Sequence, residues 1–294
     1  MIQRGRGLAA SCLLTLAGCA SVVPLAPPAP STPPSRPIAP TAVDFGLQGR
    51  IEQGGLALGL VPPDTVTLTL DGKSVAFAPD RRFLIAFDRD QSAQMLLSAT
   101  LRDGRIVSQS LSIRPRTWQT ESLPTLPKGT TPTPEFLARR SAELAQISAA
   151  RALDTHSEGW RQHFIWPAHG RISGVFGSQR IYAGEPGAYH AGVDVAQPAG
   201  TPVVAPADGV VILAAVEPFT LEGHLLMIDH GMGLNSAFLH LSRIDVAVGQ
   251  AVRQGQPVGA VGMTGRATGP HLHWALKWRD VRLDPQPLAG PMEP

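Results

Sequence analysis

Two short histidine motifs in the C-terminal third of the chain place strong demands on its fold. The first runs from His190 to Asp194 (HAGVD), and the second from His271 to His273 (HLH). Two imidazoles and one carboxylate form a ligand set that binds zinc and leaves a fourth coordination position open, as in hydrolytic rather than structural sites. If both motifs bind one ion, the fold must bring these distant segments within a few ångströms of each other.

The spacing inside each motif predicts the local backbone. On an extended strand His190 and Asp194 would lie roughly 13 Å apart, which is too far for two ligands of one ion, so this segment must turn. Gly192 lies between them and tolerates the backbone angles of a turn. His271 and His273 differ by two positions, so on a strand both imidazoles point from one face. One of the pair can then bind a metal while the other stands beside it.

Simpler readings exist for each histidine taken alone. An isolated His-x-His pair is more often solvated or hydrogen-bonded than metal-binding. His240, in the apolar stretch from Ala237 to Leu241, would alone be interpreted as a core histidine with a hydrogen-bonding partner. The HxGxD motif shifts the balance, because the two motifs together supply a complete ligand set.

Three stretches together resemble the lysostaphin/LytM-type zinc metallopeptidases, which cleave the cross-linking peptides of bacterial peptidoglycan. They are HAGVD, FLHL around His240, and GMTGRATGPHLH from Gly262 to His273. The resemblance extends over roughly residues 164 to 285. It implies an antiparallel β-sheet with a groove that is walled by loops and has zinc on its floor.

The resemblance also implies roles for five residues. His190, Asp194 and His273 would bind Zn²⁺, one ion per chain, and His240 and His271 would be catalytic. The implied reaction is hydrolysis of an amide by a metal-activated water, with His271 as the expected general base. His240 would either position the water or stabilise the tetrahedral oxyanion, and the sequence does not separate these two roles.

The expected substrate is the set of stem peptides in peptidoglycan. A Gram-negative lipoprotein would meet direct cross-links, so D-alanyl-diaminopimelate bonds are the predicted target. Arg180, Tyr182 and Arg266 lie beside the motifs and are candidates for binding substrate carboxylates, although each is equally plausible as a surface residue. The alternative function is that of a non-catalytic, LytM-like activator of cell-wall amidases. Such proteins have lost ligands, whereas this chain keeps all five residues.

The N-terminus predicts export. Two arginines precede a short apolar run that ends in Leu16-Ala-Gly-Cys19, which is typical of a secretory signal peptide over residues 1–18. The run is too short to span a bilayer as a helix.

The sequence Leu-Ala-Gly-Cys resembles the lipobox of bacterial lipoproteins, which implies an acylated Cys19. An ordinary signal peptide with a chance cysteine is the alternative. The residues after Cys19 include no adjacent aspartate, which implies a periplasmic-side anchor in the outer membrane of a Gram-negative bacterium.

The rest of the chain divides into a tether, two globular units and a connection between them. Eight prolines between residues 23 and 40 favour an extended polyproline II tether within residues 19–43. The predicted fold class is mainly β. It combines a small β-sandwich-like module over residues 44–116, a linker and helix over 117–159, and an antiparallel peptidase domain with a zinc groove over 160–286, followed by a tail over 287–294.

Charge and cysteine content exclude some partners. The formal net charge is +2, and removal of residues 1–18 would leave equal numbers of acidic and basic side chains. No basic patch is concentrated enough for nucleic acid. Loss of Cys12 with the signal peptide leaves a single cysteine and hence no internal disulfide.

The N-terminal module contains no histidine or cysteine and therefore no catalytic constellation of its own. A further hypothesis is that this module or the helix inhibits the peptidase groove.

Overall fold

The structure, a computed structural model, describes residues 41–125 and 132–292. The predicted signal peptide, the predicted acylation site Cys19 and most of the proline-rich tether lie outside the described residues, as do part of the linker and the end of the tail. Within the described ranges, no helix combines the length and the apolar character needed to cross a membrane.

The N-terminal module consists of two small β-sheets. Its strands are β1 Thr41–Ala42, β2 Gln48–Gly49, β3 Leu56–Leu60, β4 Thr65–Leu70, β5 Lys73–Val75, β6 Arg82–Ala86, β7 Gln94–Leu101 and β8 Ile106–Ser112. The first sheet has the order β1-β8-β7-β4-β5 and the second has the order β2-β3-β6. Every neighbouring pair is antiparallel except β1 and β8, which run parallel.

Alternating apolar residues and a tight turn explain this module. In β4, Leu68 and Leu70 are buried, whereas Thr67 is exposed and Thr69 is half-buried, as expected for a strand with one face on the core. Asp71 and Gly72 both have positive φ, at 47° and 76°, and connect β4 to β5 in the two-residue hairpin turn that an Asp-Gly pair predicts. The module is therefore built from strands, as predicted, with one parallel pair in an otherwise antiparallel arrangement.

A single long helix follows. Helix α1 spans Pro134–Arg151. Threonine followed by proline predicts a helix start at Thr133-Pro134, and the Thr133 hydroxyl does accept a hydrogen bond from the Phe136 amide at 3.2 Å. The sequence predicts an apolar face of Phe136, Leu137, Leu144 and Ile147, and this prediction is only partly correct. Ile147 is buried, but Leu137 and Leu144 are 54% and 48% exposed. The helix packs instead through Ile147 and Ala150, and its earlier turns are held by ion pairs.

The C-terminal part is built mainly from strands. They are β9 Thr120–Leu123, β10 Arg171–Gly174, β11 Gln179–Tyr182, β12 Glu185–Pro186, β13 Val193–Ala196, β14 Pro202–Val204, β15 Gly209–Ala214, β16 His224–Asp229, β17 Leu234–Leu241, β18 Arg243–Ile244, β19 Ala251–Val252, β20 Pro257–Ala260, β21 His271–Trp278 and β22 Val281–Leu283. A 3₁₀ turn, Gly159–Arg161, lies between α1 and β10, and a short helix α2, Gln286–Ala289, follows β22.

The main sheet has the order β10-β13-β21-β17-β16-β15-β19, with β22 beside β21. Its pairs are antiparallel, which confirms the predicted architecture. Strand β21 lies at the centre and sends alternate residues to opposite faces. Leu272, Trp274 and Leu276 enter the large core, whereas Ala275 belongs to the opposite face, on which α1 packs.

The N-terminal module is joined closely to the C-terminal sheet. Strand β9, which leads away from the module, pairs in parallel with β11. The buried core of the module is also continuous with that of the main sheet. The segment ahead of the first histidine motif therefore packs between the two parts.

Candidate metal centre

Three side chains from the two predicted motifs converge on one point. His190 Nε2 lies 3.1 Å from Asp194 Oδ1 and 3.0 Å from His273 Nδ1, and His273 Nδ1 lies 2.8 Å from Asp194 Oδ1. Two tetrahedral ligands at zinc distances of about 2.0 Å stand roughly 3.3 Å apart. Two imidazole nitrogens and a carboxylate oxygen at these separations therefore fit a zinc ion. Among the described residues, this is the only group of three His, Cys, Asp or Glu donors so arranged.

Strand pairing delivers two of these donors. Strands β13 and β21 are antiparallel neighbours in which Asp194 is the direct partner of His273. Side chains of directly paired residues emerge on the same face of a sheet. The register of this pair alone therefore brings a carboxylate beside an imidazole.

The glycine of the first motif has a different role from the one predicted. Gly192 does not have a positive φ. A Cβ on it would lie 2.5 Å from the Trp274 carbonyl oxygen and 2.7 Å from His273 Nε2. Glycine is needed here because β21 and its imidazole pack directly against the backbone, not because the turn requires unusual angles.

His190 is held from the loop that precedes β13. Its amide donates to the Ser178 carbonyl at 2.8 Å, and its own carbonyl accepts from the Gly177 amide at 2.8 Å. The His190 Nδ1–H donates to the Val175 carbonyl at 3.1 Å, which leaves the Nε2 lone pair for the converging donors. The ring is therefore fixed in both position and tautomer.

The charges at this point favour a cation. Burial would raise the pKa of Asp194, but the hydrogen bonds with His190 and His273 outweigh it and hold the pKa far below its usual range. Burial lowers the pKa of His190, yet its hydrogen bond to Asp194 raises the net value, whereas burial dominates in His273 and lowers its pKa. An ionised carboxylate between imidazoles attracts either a proton or a metal ion, so metal binding here should depend on pH.

His240 and His271 stand beside the three donors. The ring centroids of His240 and His271 lie 4.9 Å apart, and His271 Nε2 is 3.8 Å from Asp194 Oδ1. His271 Nδ1–H donates to the Gly269 carbonyl at 2.8 Å, and His240 Nδ1–H donates to the Thr264 carbonyl at 2.8 Å. In the neutral form of both rings, Nε2 is therefore free to accept a proton.

An unusual backbone conformation brings His240 to this face. Its φ is +64°, and the pairing of β16 with β17 shifts register at this point. Positive φ is uncommon for a residue other than glycine and often occurs at functional positions. Burial, reinforced by the neighbouring histidines, lowers the pKa of His240 to about 4, so its imidazole is neutral near pH 7.

Comparison with known proteins identifies the family of the chain. A family model described as Peptidase family M23 matches residues 188–285. A crystal structure of a candidate peptidase M23 from Pseudomonas aeruginosa is 31% identical in sequence with a TM-score of 0.62, and the match covers 82% of this chain and 96% of that one. The chain belongs to peptidase family M23.

Other relatives match a shorter part of the chain. The peptidoglycan DD-endopeptidase ShyA of Vibrio cholerae is 44% identical over 107 residues, which is 36% of this chain and 24% of that protein. The DD-carboxypeptidase/endopeptidase Mpg of Neisseria meningitidis is 39% identical over 121 residues, or 41% of this chain and 27% of that protein. The chain thus spans about a quarter of the length of these relatives.

A cleft of about 870 Å³ opens beside the three converging donors. His190 and Asp194 lie on its wall, and Arg180, Tyr182 and Arg266, the predicted substrate-binding residues, line it as well. Arg180 is already partnered by Glu121 at 2.8 Å. Arg266 is exposed, so its guanidinium is the more available of the two for a ligand.

Two residues that support the site were not predicted. Gly174, at a bulge in β10, leaves room for the carboxylate, because a Cβ there would lie 2.3 Å from Asp194 Oδ2. The Thr264 hydroxyl accepts from the His224 amide at 2.9 Å and donates to the Leu241 carbonyl at 2.8 Å, and so fixes the loop whose carbonyl orients His240. Both lie in stretches of the quoted resemblance or just ahead of it, but their role depends on contacts across strands.

Proposed function

We propose that this M23 peptidase is a zinc-dependent endopeptidase that hydrolyses peptide cross-links of bacterial peptidoglycan. The convergence of His190, Asp194 and His273, with two further imidazoles beside them, carries the proposal. The name of the relative ShyA, a peptidoglycan DD-endopeptidase, supports this substrate class, and the name of Mpg, a DD-carboxypeptidase/endopeptidase, supports the endopeptidase activity.

One zinc ion per chain would be held by His190 Nε2, Asp194 Oδ1 and His273 Nδ1. When bound, zinc supplies a Lewis acid that polarises the scissile carbonyl and lowers the pKa of a water. The chain itself supplies the fixed tautomer of His190 through Val175, and the strand register that pairs Asp194 with His273.

His271 is the proposed general base. Its Nδ1–H is occupied by the Gly269 carbonyl, so its Nε2 can accept the proton of the attacking water and later deliver it to the leaving amine. The distance of 3.8 Å from His271 Nε2 to Asp194 Oδ1 places this nitrogen next to the proposed ligands without making it one of them.

His240 is proposed to orient the water. A neutral imidazole with Nδ1–H donated to Thr264 has only an acceptor at Nε2, and an acceptor can hold a water proton but cannot donate to an oxyanion. The low pKa of about 4 favours this neutral form. Orientation of the water is thus the better supported of its two predicted roles.

The proposed scissile bond joins D-alanine to diaminopimelate. Such direct cross-links are expected in a Gram-negative envelope, to which the predicted lipoprotein signal would send the chain. Arg266, with Arg180 and Tyr182 on the same cleft, is proposed to bind substrate carboxylates.

Digestion of purified sacculi tests the proposed function. The wild-type protein should convert cross-linked muropeptide dimers to monomers, whereas a His190→Ala variant should contain less zinc and release none. Chromatography of the muropeptides and metal analysis of both proteins give the two readouts. Undiminished dimers with zinc-loaded wild-type protein would refute the proposal.

The activator alternative predicts a different result. A non-catalytic activator would stimulate a cell-wall amidase equally well as wild type or as His190→Ala, with no release of monomers of its own. Retention of all three donors and both neighbouring histidines disfavours this alternative.

Export and anchoring complete the proposal. We propose that residues 1–18 are removed, that Cys19 is acylated, and that residues 19–43 tether the enzyme to the periplasmic side of the outer membrane. Labelled palmitate should enter the wild-type protein and not a Cys19→Ala variant. The module boundaries 44–116, 117–159, 160–286 and 287–294 are proposed with it.

Self-inhibition by the N-terminal part remains a proposal with one motivating observation. Helix α1 packs on the same face of the main sheet that carries His273. Higher activity of residues 160–294 than of the chain from residue 19 would support inhibition, and equal activity would argue against it.

A further inference from the structure

A second cavity, of about 230 Å³, lies between α1 and the main sheet. Ala191 and His273 line one part of it, so the cavity adjoins the proposed metal centre. Leu225, Leu239 and Ala275 give it an apolar wall. Nothing in the proposed mechanism uses this cavity.

Besides Arg140, three basic side chains from different elements line the same cavity. They are Arg151 in the last turn of α1, Lys277 on β21 and Arg282 on β22. Lys277 and Arg282 are direct partners in the antiparallel pair of β21 with β22. Like charges placed directly opposite each other destabilise a sheet, so this arrangement opposes folding unless an anion offsets it.

The chain supplies little negative charge to these three cations. Glu222 also lines the cavity, but Arg140 binds both of its oxygens, at 2.5 and 2.7 Å. Asp280 approaches Lys277 only to 3.8 Å and is fully exposed to solvent.

Asp88, the other nearby acid, is used elsewhere. It accepts from the backbone amide of Arg282 at 3.2 Å and from the Tyr189 hydroxyl at 3.0 Å. Arg151 Nε is buried and has no hydrogen-bond partner among the described residues. A buried donor without a partner is unfavourable and indicates a missing acceptor.

The pKa directions agree with this geometry. Burial, and then the positive charge of Arg282, lower the pKa of Arg151. Burial, and then the charge of Arg151, lower the pKa of Lys277. The cations therefore repel one another in a partly desolvated space, where a bound carboxylate would relieve the repulsion.

We propose that this cavity binds a free carboxylate of the substrate peptide, on the residues beyond the scissile bond. The proposal rests on the proposed function, since it names a part of the same substrate. Lys277 lies four positions after His273 on β21, or about 13 Å along the strand. The carboxylate is therefore one at some distance from the bond that is cut, and the apolar wall accommodates the aliphatic chain before it.

Removal of one cation tests the proposal by kinetics. In Lys277→Met and Arg151→Met, KM for a soluble cross-linked muropeptide dimer should rise about ten- to a hundredfold, the range for loss of a charge-assisted hydrogen bond, with little change in kcat. The matched control is Arg253→Met, which removes an exposed cation of the same domain that does not line the cavity.

Amidated substrates identify the carboxylate. Dimers amidated at the diaminopimelate, at the glutamate or at the terminal alanine remove one candidate group at a time. For the wild type, KM for one of the amidated dimers should exceed KM for the parent dimer by as much as the Lys277→Met substitution raises KM for the parent dimer. For Lys277→Met, KM should be the same for that amidated dimer and the parent dimer. If all three amidated dimers behave like the parent dimer in both proteins, the proposal is wrong while the proposed function stands.

A thermal measurement separates binding from a structural role. Arg151→Met should unfold at the wild-type temperature or above it, because it relieves repulsion. The free tetrapeptide should raise the unfolding temperature of the wild type more than that of Lys277→Met. Equal stabilisation of both proteins by the tetrapeptide would contradict the cavity assignment. If the tetrapeptide stabilises the wild type more than Lys277→Met but the wild type cleaves no dimers, the cavity assignment stands and the proposed function is wrong.

Discussion

Arg89 Nε donates a hydrogen bond to the carbonyl oxygen of Gly177 at 2.9 Å, which ties the N-terminal module to the loop behind His190. The Gly177 amide in turn donates to the His190 carbonyl at 2.8 Å. The Arg89 guanidinium also lies 5.0 Å from the ring centroid of Tyr189, next in sequence to His190. Arg89 is only 7% exposed. The N-terminal module therefore supports the position of the first proposed ligand.

We expect Arg89→Met to weaken zinc binding by up to about tenfold, the lower end of the effect of groups that orient metal ligands. Competition with a chromophoric chelator measures this affinity. Arg105→Met is the control, because Arg105 lies in an exposed turn of the same module and its side chain pairs with Asp103 of the same turn. Equal zinc affinity of Arg89→Met and wild type would show that the module does not hold the ligand loop.

His271 and His273 should respond differently to truncation although they lie on one strand. His273→Ala removes a proposed ligand, so zinc and activity should both be lost. His271→Ala removes the proposed base, so zinc should remain while kcat falls by about 10²- to 10⁴-fold. Metal analysis and dimer hydrolysis measure the two effects, with the exposed His156→Ala as control. Zinc missing from His271→Ala but retained in His273→Ala would reverse the assignment.

Gly174→Ala should abolish metal binding although it replaces none of the proposed ligands. The added Cβ would lie 2.3 Å from Asp194 Oδ2 and 3.1 Å from His190 Cε1, so the carboxylate must move. Gly269→Ala is the matched control, since a Cβ there meets nothing within 4 Å. Zinc content of the two variants decides the matter, and normal zinc in Gly174→Ala would mean that the β10 bulge can relax.

The convergence of the two histidine motifs could be predicted because it follows from local rules. A spacing of two on a strand fixes the common face of His271 and His273, and a shared ion requires Asp194 to lie beside that strand. The turn at Asp71-Gly72 was predictable for the same reason, since two residues determine it.

The supporting contacts could not be predicted because they depend on pairing between distant segments. Gly174 matters only because β10 lies beside β13, and the meeting of Arg151 with Lys277 and Arg282 depends on where α1 packs. The exposure of Leu144 has the same origin, since the periodicity of a helix does not specify which stripe meets the sheet.

His230 is a fully buried imidazole behind the strand that carries His273. Its Nδ1–H donates to the Asp208 carbonyl at 2.8 Å, and its Nε2 accepts from the Ser236 hydroxyl at 2.8 Å. The oxygen of Ser236 accepts in turn from Trp274 Nε1 at 3.3 Å. A proton on Nε2 would break this chain of hydrogen bonds, and burial accordingly lowers the pKa of His230 to about 4.

This low pKa predicts a loss of stability in mild acid. An unfolded histidine titrates near pH 6.5, so below that pH the unfolded chain binds a proton that the folded chain does not, until the pH reaches about 4. The contribution of His230 to the free energy of unfolding is therefore fully present above about pH 6.5 and falls by up to about 1.4 kcal/mol per pH unit in this window.

A His230→Gln variant tests this prediction, because it replaces the imidazole by an amide that does not titrate. The advantage of the wild type in free energy of unfolding should shrink, on the order of 3 kcal/mol, between about pH 7 and pH 4. Denaturant unfolding of both proteins across this range measures the difference, and a difference that does not change with pH would mean that the folded protein accommodates a protonated His230.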